Sequence, residues 1–320
     1  MQNRRRAKPR RPACTRGHLS SICVENDARA LAVGGSKVKA KWTWREALPK
    51  SRAGMIRAFH KMHGLGNDFA IFDAREEPLA MSERQARALA DRRTGIGCDQ
   101  LIVLEPSDKA DLRMRIWNHD GGEVESCGNA SRCVVALTGV RTIETGGGVV
   151  SGAADGAEVE VAIAEPRFGW EEVPLAYAMD TAALPMAWGE LEKPMALSVG
   201  NPHLVFFVED GEAIPLDGLG PLIEHDPAFP DRINVNVAEV GSGGIRLRTW
   251  ERGAGQTLAC GTGACATAVA AIASKRAESP VKVTMPGGTL TIAWRPGEPI
   301  RMRGAATYVF KGEIDLEALS

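Results

Sequence analysis

The chain has 320 residues, of which 44 % are hydrophobic and 25 % charged, and its formal net charge is −1. This composition is typical of a globular protein with one large or two modest domains. The small and apolar run at 264–273 is much shorter than the roughly 20 residues of a membrane helix. We therefore expect no membrane span, and neither a membrane nor a nucleic acid as partner.

The basic leader at 1–54 differs in charge from the rest of the chain, because Lys and Arg far outnumber Asp and Glu there. It lacks the apolar core of a secretory signal. An organelle transit peptide, a disordered tail and a misplaced start remain open, and we favour a start at Met55, where the first patterned segment begins. The seven cysteines are odd in number and not densely arrayed, which favours a reducing cytoplasm.

The first half is predicted to span residues 55–173. It contains the segments "HGLGNDFAIFD" and "GIGCDQLIVLE", followed by an alternating strand at 112–116. Glycines then lead to Cys127-Gly128, after which an apolar run predicts a buried helix with Asn129 as its capping residue. The Pro- and Trp-bearing segment at 165–194 predicts a crossover between the halves.

The second half, predicted to span residues 174–304, repeats the first. "LRMRIWNHDGGEVESCGNASRC" at 112–133 and "IRLRTWERGAGQTLACGTGAC" at 245–265 share Arg-x-Arg-x-Trp, a glycine and Cys-Gly. The interval from Arg115 to Cys127 equals the interval from Arg248 to Cys260. Thr262 occupies the capping position of the second predicted helix.

Further pairs fit the same displacement. Asn201 follows Asn67 at the same interval at which Asn234 follows Gln100. Such repeats predict a duplicated fold. We expect an α/β (α+β) protein with two pseudo-symmetric domains, each a mixed or antiparallel sheet around a central buried helix, and an active site in the cleft between them. A C-terminal strand at about 305–320 is expected to complete the first domain.

The repeated cysteines suggest acid and base chemistry. A thiol at a helix N-terminus lies where backbone N–H groups and the helix dipole favour an anion, so we expect a lowered pKa. Two such thiols facing each other can remove a proton from an α-carbon and return one to its opposite face. The sequence contains no Rossmann fingerprint, no P-loop and no recognisable pyridoxal-phosphate lysine, so we expect no cofactor.

From residue 55 to its end the chain resembles the diaminopimelate epimerases. The resemblance is carried by "HGLGNDF", "GIGCDQ", "NHDGGEVESCGNASRC", "VGNPHLV" and "ERGAGQTLACGTGACA". It implies a cofactor-independent isomerase that interconverts LL- and meso-2,6-diaminopimelate in lysine and peptidoglycan-precursor biosynthesis. It further implies that Cys127 and Cys260 are the acid and base, and that the enzyme is a homodimer with a small-molecule substrate.

The resemblance also implies a substrate-binding set. Contacts to the reacting α-carboxylate fall on the two helix starts, at Gly128, Asn129, Gly261 and Thr262. The distal amino-acid end falls to seven further side chains, namely Asn67, Gln100, Asn118, Asn201, Asn234, Glu251 and Arg252. An arginine can bind a carboxylate through two parallel hydrogen bonds, and a glutamate can accept from an ammonium group, which agrees with these roles.

Three features depart from the family pattern. Ala130 stands where the family usually has glycine, Gln256 stands where it usually has glutamate, and the basic leader is extra. Ala130 requires only an ordinary helical backbone, whereas Gln256 removes a charge from the second motif. None of these departures alters a proposed acid or base.

Several alternatives remain open. Cys98, Cys133 and Cys265 are interpreted as small buried hydrophobic residues, although a zinc site formed by Cys127, Cys133, Cys260 and Cys265 is a further hypothesis. We expect no metal, because the cysteine spacings fit zinc poorly. His119 and His203 are interpreted as loop residues, with His203 a candidate for the pocket wall. A proline racemase-like enzyme and a noncatalytic thiol–disulfide redox module are the competing functions.

Overall fold

The computed structural model describes Cys23–Val24, residues 56–156 and residues 158–319. The predictions for the leader at 1–54 lie outside these residues, apart from Cys23–Val24, which form the short strand β1. Within the described part of the chain, every helix is too short or too polar to cross a lipid bilayer.

The first half, as far as the structure describes it, contains eight strands and two helices. They are β2 (Ile56–Gly64), β3 (Asn67–Asp73), α1 (Glu83–Ala90), β4 (Gln100–Glu105), β5 (Leu112–Asn118), β6 (Glu123–Val124), α2 (Gly128–Thr138), β7 (Thr142–Thr145), β8 (Gly148–Asp155) and β9 (Glu158–Ile163). Strand β5 shows the predicted alternation, with Leu112, Met114 and Ile116 buried and Arg113 exposed. Helix α2 ends at Gly139, whose left-handed conformation, φ 73°, suits a residue without a Cβ.

A two-stranded ribbon, β10 (Ala187–Trp188) and β11 (Leu191–Glu192), lies in the crossover segment. The second half then follows with β12 (Met195–Ser198), β13 (Pro202–Phe207), α3 (Leu216–Glu224), β14 (Asn234–Gly241), β15 (Gly244–Glu251), β16 (Gly255–Thr257), α4 (Gly261–Ala273), β17 (Val281–Met285), β18 (Gly288–Ala293) and β19 (Ile300–Ala305). Strand β20 (Thr307–Asp315) and a 3₁₀ turn, Leu316–Leu319, end the described chain.

The two halves share one topology. Each begins with an antiparallel hairpin, β2–β3 or β12–β13, and its second strand pairs in parallel with β4 or β14 across a helical connection. Strands β5 and β15 then pair antiparallel with β4 and β14, and parallel with β7 and β17. Antiparallel strands β8–β9 and β18–β19 complete the halves. This is the duplication that the sequence predicts.

Two strand pairings connect distant parts of the chain. Strands β9 and β19 pair antiparallel along their full lengths, which joins the sheets of the two halves. Strand β20 returns to pair antiparallel with β2, and it also pairs with β1. The C-terminal strand therefore belongs to the sheet of the first half.

Helices α2 and α4 lie in one hydrophobic core that draws on both sheets. Helix α4 consists largely of small residues and is buried over nearly its full length, so it packs closely on several strands at once. Separate cores form beneath α1 and α3. The predicted α+β fold with a buried helix central to each half is confirmed.

Candidate functional site

The two central helices each begin directly after a cysteine. Cys127 and Cys260 have extended backbones, with φ −150° and −112°, and the helical conformation starts at Gly128 and Gly261. The cysteines are therefore the N-cap residues, and the expectation that Asn129 and Thr262 hold this position is wrong. Asn129 and Thr262 instead lie in the first turn, where their side chains contact neighbouring site residues.

Met302 of β19 lies between the two helix starts. A Cβ atom on Gly128 would lie 2.5 Å from Met302 Cε, and one on Gly261 would lie 3.3 Å from Met302 Sδ. Both helix starts therefore approach the same side chain, and the glycine after each cysteine permits this approach. The helices themselves are in contact. The structure thus brings the two Cys-Gly segments together at the junction of the halves.

On the side of the first half, the Cys127 thiol meets an amide oxygen. Cys127 Sγ donates to Asn67 Oδ1 at 3.8 Å, and Asn129 Nδ2 donates to the same oxygen at 3.2 Å. Asn67 Nδ2 in turn donates to Asp99 Oδ2 at 3.3 Å. Asn67 and Asn129 therefore lie beside the same thiol.

On the side of the second half, the Cys260 thiol meets hydrogen-bond donors. The Gly263 backbone N–H donates to Cys260 Sγ at 3.3 Å, and Thr262 Oγ1 lies 3.5 Å from the sulfur. Asn201 Nδ2 donates to Thr262 Oγ1 at 3.3 Å. Since that oxygen accepts from Asn201, its own hydrogen is free to point towards the sulfur.

Glu251 carries a carboxylate that adjoins the Cys260 thiol. It accepts a hydrogen bond from the Thr257 hydroxyl and another from the Cys260 thiol, and its negative charge acts on both site cysteines. Burial raises the pKa of Glu251, and the two hydrogen bonds oppose that rise. The carboxylate of Glu251 is thus a common neighbour of Cys127 and Cys260.

Burial raises the pKa of both thiols, which is contrary to the lowered values expected from their helix positions. The backbone N–H groups of Asn129 and Ala130 lower the pKa of Cys127. The Thr262 hydroxyl and the Gly263 backbone N–H act likewise on the pKa of Cys260. Desolvation outweighs these donors because Cys260 is buried and Cys127 is half-buried against the core between the halves, and the Glu251 charge raises both pKa values further.

Gln100 and Asn118 form a second polar pair on the first half. They lie opposite each other on β4 and β5, and Gln100 Nε2 donates to Asn118 Oδ1 at 2.9 Å. Gln100 Oε1 is buried and has no hydrogen-bond partner among the described residues. An unpaired buried amide oxygen is costly, so this pair has an acceptor available for a ligand.

Asn234 and Arg252 are bound to backbone groups. Asn234 Nδ2 donates to the Pro202 carbonyl at 2.8 Å, and its Oδ1 accepts from the Arg252 backbone N–H at 2.9 Å. The Arg252 guanidinium donates to the Asp231 carbonyl through Nη1, at 2.9 Å. Asn234 therefore ties the Arg252 segment to β13, and a backbone carbonyl holds one end of the Arg252 guanidinium.

The histidines of the motif loops have different environments. His203 is fully buried, where Nε2 donates to Asn201 Oδ1 at 2.9 Å and Nδ1 accepts from Asn236 Nδ2 at 3.1 Å. Burial lowers the pKa of His203 to about 3, with the Arg252 charge adding to the effect, so the ring is neutral. His203 thus donates to Asn201, which in turn donates to Thr262 beside the Cys260 thiol. His119, by contrast, is exposed.

The other cysteines and the two tryptophans singled out in the sequence pack in the protein core. Cys98, Cys133 and Cys265 are buried in apolar cores, and burial raises the pKa of Cys98 to about 11 and that of the other two to about 12. Trp117 and Trp250 pack in separate cores of the two halves. Across the described ranges, no three His, Cys, Asp or Glu side chains converge as metal ligands.

The sequence reasoning missed three residues beside the site, namely Asp99, Arg132 and Met302. Asp99 immediately precedes Gln100 within a recognised motif, and Arg132 is the charged residue of the predicted buried helix, so both had a local signal. No local signal in the sequence indicated Met302, because its position depends on how β19 joins the two halves.

Comparison with known proteins identifies the family. The profile of the diaminopimelate epimerase family matches residues 59–167 and 195–309. The diaminopimelate epimerase of Rhizorhabdus wittichii is 63 % identical over 263 residues, which cover 81 % of this chain and 96 % of that protein. The diaminopimelate epimerase of Zymomonas mobilis is 50 % identical over 269 residues, which cover 83 % of this chain and 100 % of that protein.

Solved structures share the fold at low identity. A probable proline racemase from Agrobacterium radiobacter superposes with a TM-score of 0.59 at 15 % identity, covering 80 % of this chain and 92 % of that one. A hydroxyproline epimerase from Agrobacterium vitis superposes with a TM-score of 0.58 at 16 % sequence identity. The match covers 82 % of this chain and 93 % of that one. These two likenesses concern the fold alone, whereas the sequence matches show that this chain belongs to the diaminopimelate epimerase family.

Proposed function

We propose that this protein is the isomerase that converts LL-2,6-diaminopimelate to meso-2,6-diaminopimelate by transfer of a proton between two thiols. The observation that carries the proposal is the meeting of two Cys-Gly helix starts at Met302, one from each half. A symmetric pair of thiols suits a reaction that breaks and remakes one C–H bond on opposite faces of a carbon.

The proposed reaction needs one thiolate and one thiol. The thiolate of one cysteine takes the α-proton, the electron pair of the C–H bond remains on the substrate as an enolate-like carbanion, and the other thiol delivers its proton to the opposite face. The two cysteines thereby exchange protonation states. Backbone N–H groups at Gly128 and Gly261 are suited to hold the α-carboxylate and its developing charge.

The raised pKa values are compatible with this chemistry. A thiolate of high pKa is a stronger base, and the α-hydrogen of an amino acid is a weak acid. The cost of forming that thiolate is reduced when a substrate ammonium group enters the same desolvated space. The burial of both sulfurs therefore supports proton transfer only with substrate present.

The proposed binding set follows the family positions. The α-carboxylate is assigned to Gly128, Asn129, Gly261 and Thr262. The distal amino-acid end is assigned to Asn67, Gln100, Asn118, Asn201, Asn234, Glu251 and Arg252. The unpaired oxygen of Gln100 and the guanidinium of Arg252 support this division, since the first accepts from an ammonium group and the second donates to a carboxylate.

The proposal also covers the domain boundaries, the biosynthetic role, the compartment and the oligomeric state. We assign residues 55–173 with about 305–320 to one domain and 174–304 to the other, with a role in lysine and peptidoglycan-precursor biosynthesis. A cytoplasmic, cofactor-independent homodimer is proposed, without nucleic-acid or membrane partners. Free thiols at the cysteines of the core support a reducing compartment. The exposed Tyr308 and Val309 of β20 offer an apolar surface for a second copy.

Substrate selectivity tests the assignment. We expect the purified protein to convert LL-diaminopimelate to the meso form under reductant, and to leave L-lysine and L-proline unchanged, because neither supplies a second amino-acid end for Arg252 and Glu251. Chiral chromatography of the three reactions measures this. Racemisation of proline would retain the thiol pair but refute the substrate, and no conversion of any of them would favour a thiol–disulfide redox module.

A further inference from the structure

Arg132 is a buried charge whose contacts, within the described chain, include no carboxylate. Its side chain is fully buried in α2, and the ionisable groups that act on it are the thiols of Cys127, Cys133 and Cys265. Nη2 donates to Asn129 Oδ1 at 2.7 Å, Nη1 contacts Met302 Sδ at 3.2 Å, and Nε finds no partner in the described ranges. A guanidinium in this position is costly, so a structural role in packing alone explains it poorly.

Asp99 lies on the other side of the same amides. Its Oδ2 accepts from Asn67 Nδ2 at 3.3 Å and from the Asp68 backbone N–H at 3.0 Å, and its Oδ1 accepts from Arg92 Nη2 at 2.6 Å. Asp68 is held by Lys61 and by Arg92. The Asp99 carboxylate is therefore fixed in place by the Arg92 guanidinium and by backbone.

These contacts form one directed chain of hydrogen bonds. It runs from the Arg132 guanidinium to Asn129 Oδ1, from Asn129 Nδ2 to Asn67 Oδ1, and from Asn67 Nδ2 to Asp99 Oδ2. An arginine can only donate and an ionised carboxylate can only accept. Each end therefore excludes the flipped orientation of the amide beside it.

We propose that Arg132 and Asp99 are positioning residues that lock the side-chain amides of Asn129 and Asn67 in one orientation, so that a carbonyl oxygen faces the Cys127 thiol. Arg132 and Asp99 impose this orientation through their hydrogen bonds to the two side-chain amides. The orientation itself is independent of the proposed epimerase function, whereas its value for proton transfer rests on that function.

The described part of the second half has no equivalent of this lock. The fifth residue after the N-cap cysteine is Arg132 in α2 but Cys265 in α4. There Asn201 donates to Thr262, where in the first half Asn67 accepts from Asn129. Both thiols also accept from backbone N–H groups of their helix starts, but Cys127 donates to the Asn67 amide oxygen, whereas Cys260 donates to the Glu251 carboxylate. The lock thus gives Cys127 an amide oxygen as its acceptor, where Cys260 has a carboxylate, although the fold around the two thiols is repeated.

The lock has a measurable effect on Cys127. An acceptor beside the sulfur favours the S–H form, and a donor there would favour the thiolate. The charged or titratable groups that face Cys127 are Glu251 of β15, and Arg132 and Cys133 of its own helix. Replacing Asp99 by asparagine leaves these groups in place and lets Asn67 turn its NH₂ group to the sulfur, with loss of the hydrogen bond that Asn67 Oδ1 accepts from Asn129.

The test is the pH dependence of Cys127 alkylation in the full chain. Iodoacetamide modification at Cys127 and at Cys260 is followed by mass spectrometry in wild type and in Asp99→Asn. Asp68→Asn is the matched control, because it removes one negative charge from the same carboxylate pair but leaves the Asp99 acceptor. Thermal melting verifies that each variant folds.

We expect the alkylation midpoint of Cys127 to fall in Asp99→Asn by about one pH unit more than in Asp68→Asn, which is about a tenfold rise in thiolate at fixed pH. The Cys260 midpoint should stay within the control range. Equal shifts in Asp99→Asn and Asp68→Asn would mean a simple charge effect and would overturn the lock. A Cys127 midpoint that does not move would overturn it as well.

A second pair of variants tests the Arg132 end by activity. Arg132→Lys retains a donor-only group, whereas Arg132→Gln can present either a donor or an acceptor to Asn129. We expect kcat in Arg132→Gln to fall about tenfold further than in Arg132→Lys, with KM changing less. Equal losses would contradict the lock. An inactive wild-type protein would refute the proposed function instead, and the alkylation result would still decide the lock.

Discussion

Replacing either Cys127 or Cys260 by alanine is expected to lower epimerisation by at least about 10³-fold, because removing a positioned acid or base typically costs about 10²–10⁴-fold and each turnover needs both. The fold should persist, since each cysteine caps a helix whose remaining residues are largely buried in the shared core. Loss of LL-diaminopimelate conversion, measured together with an unchanged circular dichroism spectrum, is the expected result.

The matched control is Cys265→Ala, which removes another buried thiol from α4. We expect a modest loss of stability from the small cavity, and activity within a few-fold of wild type. If Cys127→Ala or Cys260→Ala retained the activity of Cys265→Ala, the two-thiol assignment would be wrong.

A large effect is also expected at Gly287, which lies where loops of the two halves meet. Its backbone N–H donates to the Leu258 carbonyl at 2.7 Å, and a Cβ atom there would overlap the Leu65 carbonyl oxygen and lie 3.0 Å from that of Leu258. Both obstacles are backbone and cannot rotate away. Leu65 closely precedes Asn67, and Leu258 closely precedes Cys260, so Gly287→Ala must displace one or both of these site residues.

We therefore expect Gly287→Ala to lower kcat/KM by about 10²-fold, the loss associated with a misplacement of about 1 Å. Gly243→Ala is the control, because a Cβ there meets open space in the turn between β14 and β15. That variant should match wild type in both activity and stability. Normal kcat/KM in Gly287→Ala would show that this junction does not fix the site geometry.

The sequence was sufficient to predict the overall fold, because the duplication is visible in short repeated motifs. The alternating strand at 112–116, the apolar runs after Cys127 and Cys260, and the repeated spacings all report on short-range structure. From them the two halves, the buried helices and the pair of cysteines at the helix starts were predictable.

Features that depend on the meeting of the halves were not predictable. The lowered thiol pKa expected from the helix N-termini was wrong, because desolvation between the two halves outweighs the nearby N–H groups. The position of Met302 between the two helix starts depends on the pairing of β9 with β19. The capping positions were misplaced because a cysteine is an unusual N-cap, whereas asparagine and threonine are common ones.

Proton transfer by two different thiols is the central claim, and the isotope content of the first product tests it most directly. LL-Diaminopimelate is incubated with the protein in deuterium oxide, and both isomers are analysed by proton NMR before equilibrium. Two thiols predict meso product that carries deuterium at the inverted α-carbon, while the recovered LL substrate remains largely unlabelled. Meso product that retains the original hydrogen would mean that one group removes and returns the same proton, and would contradict the claim.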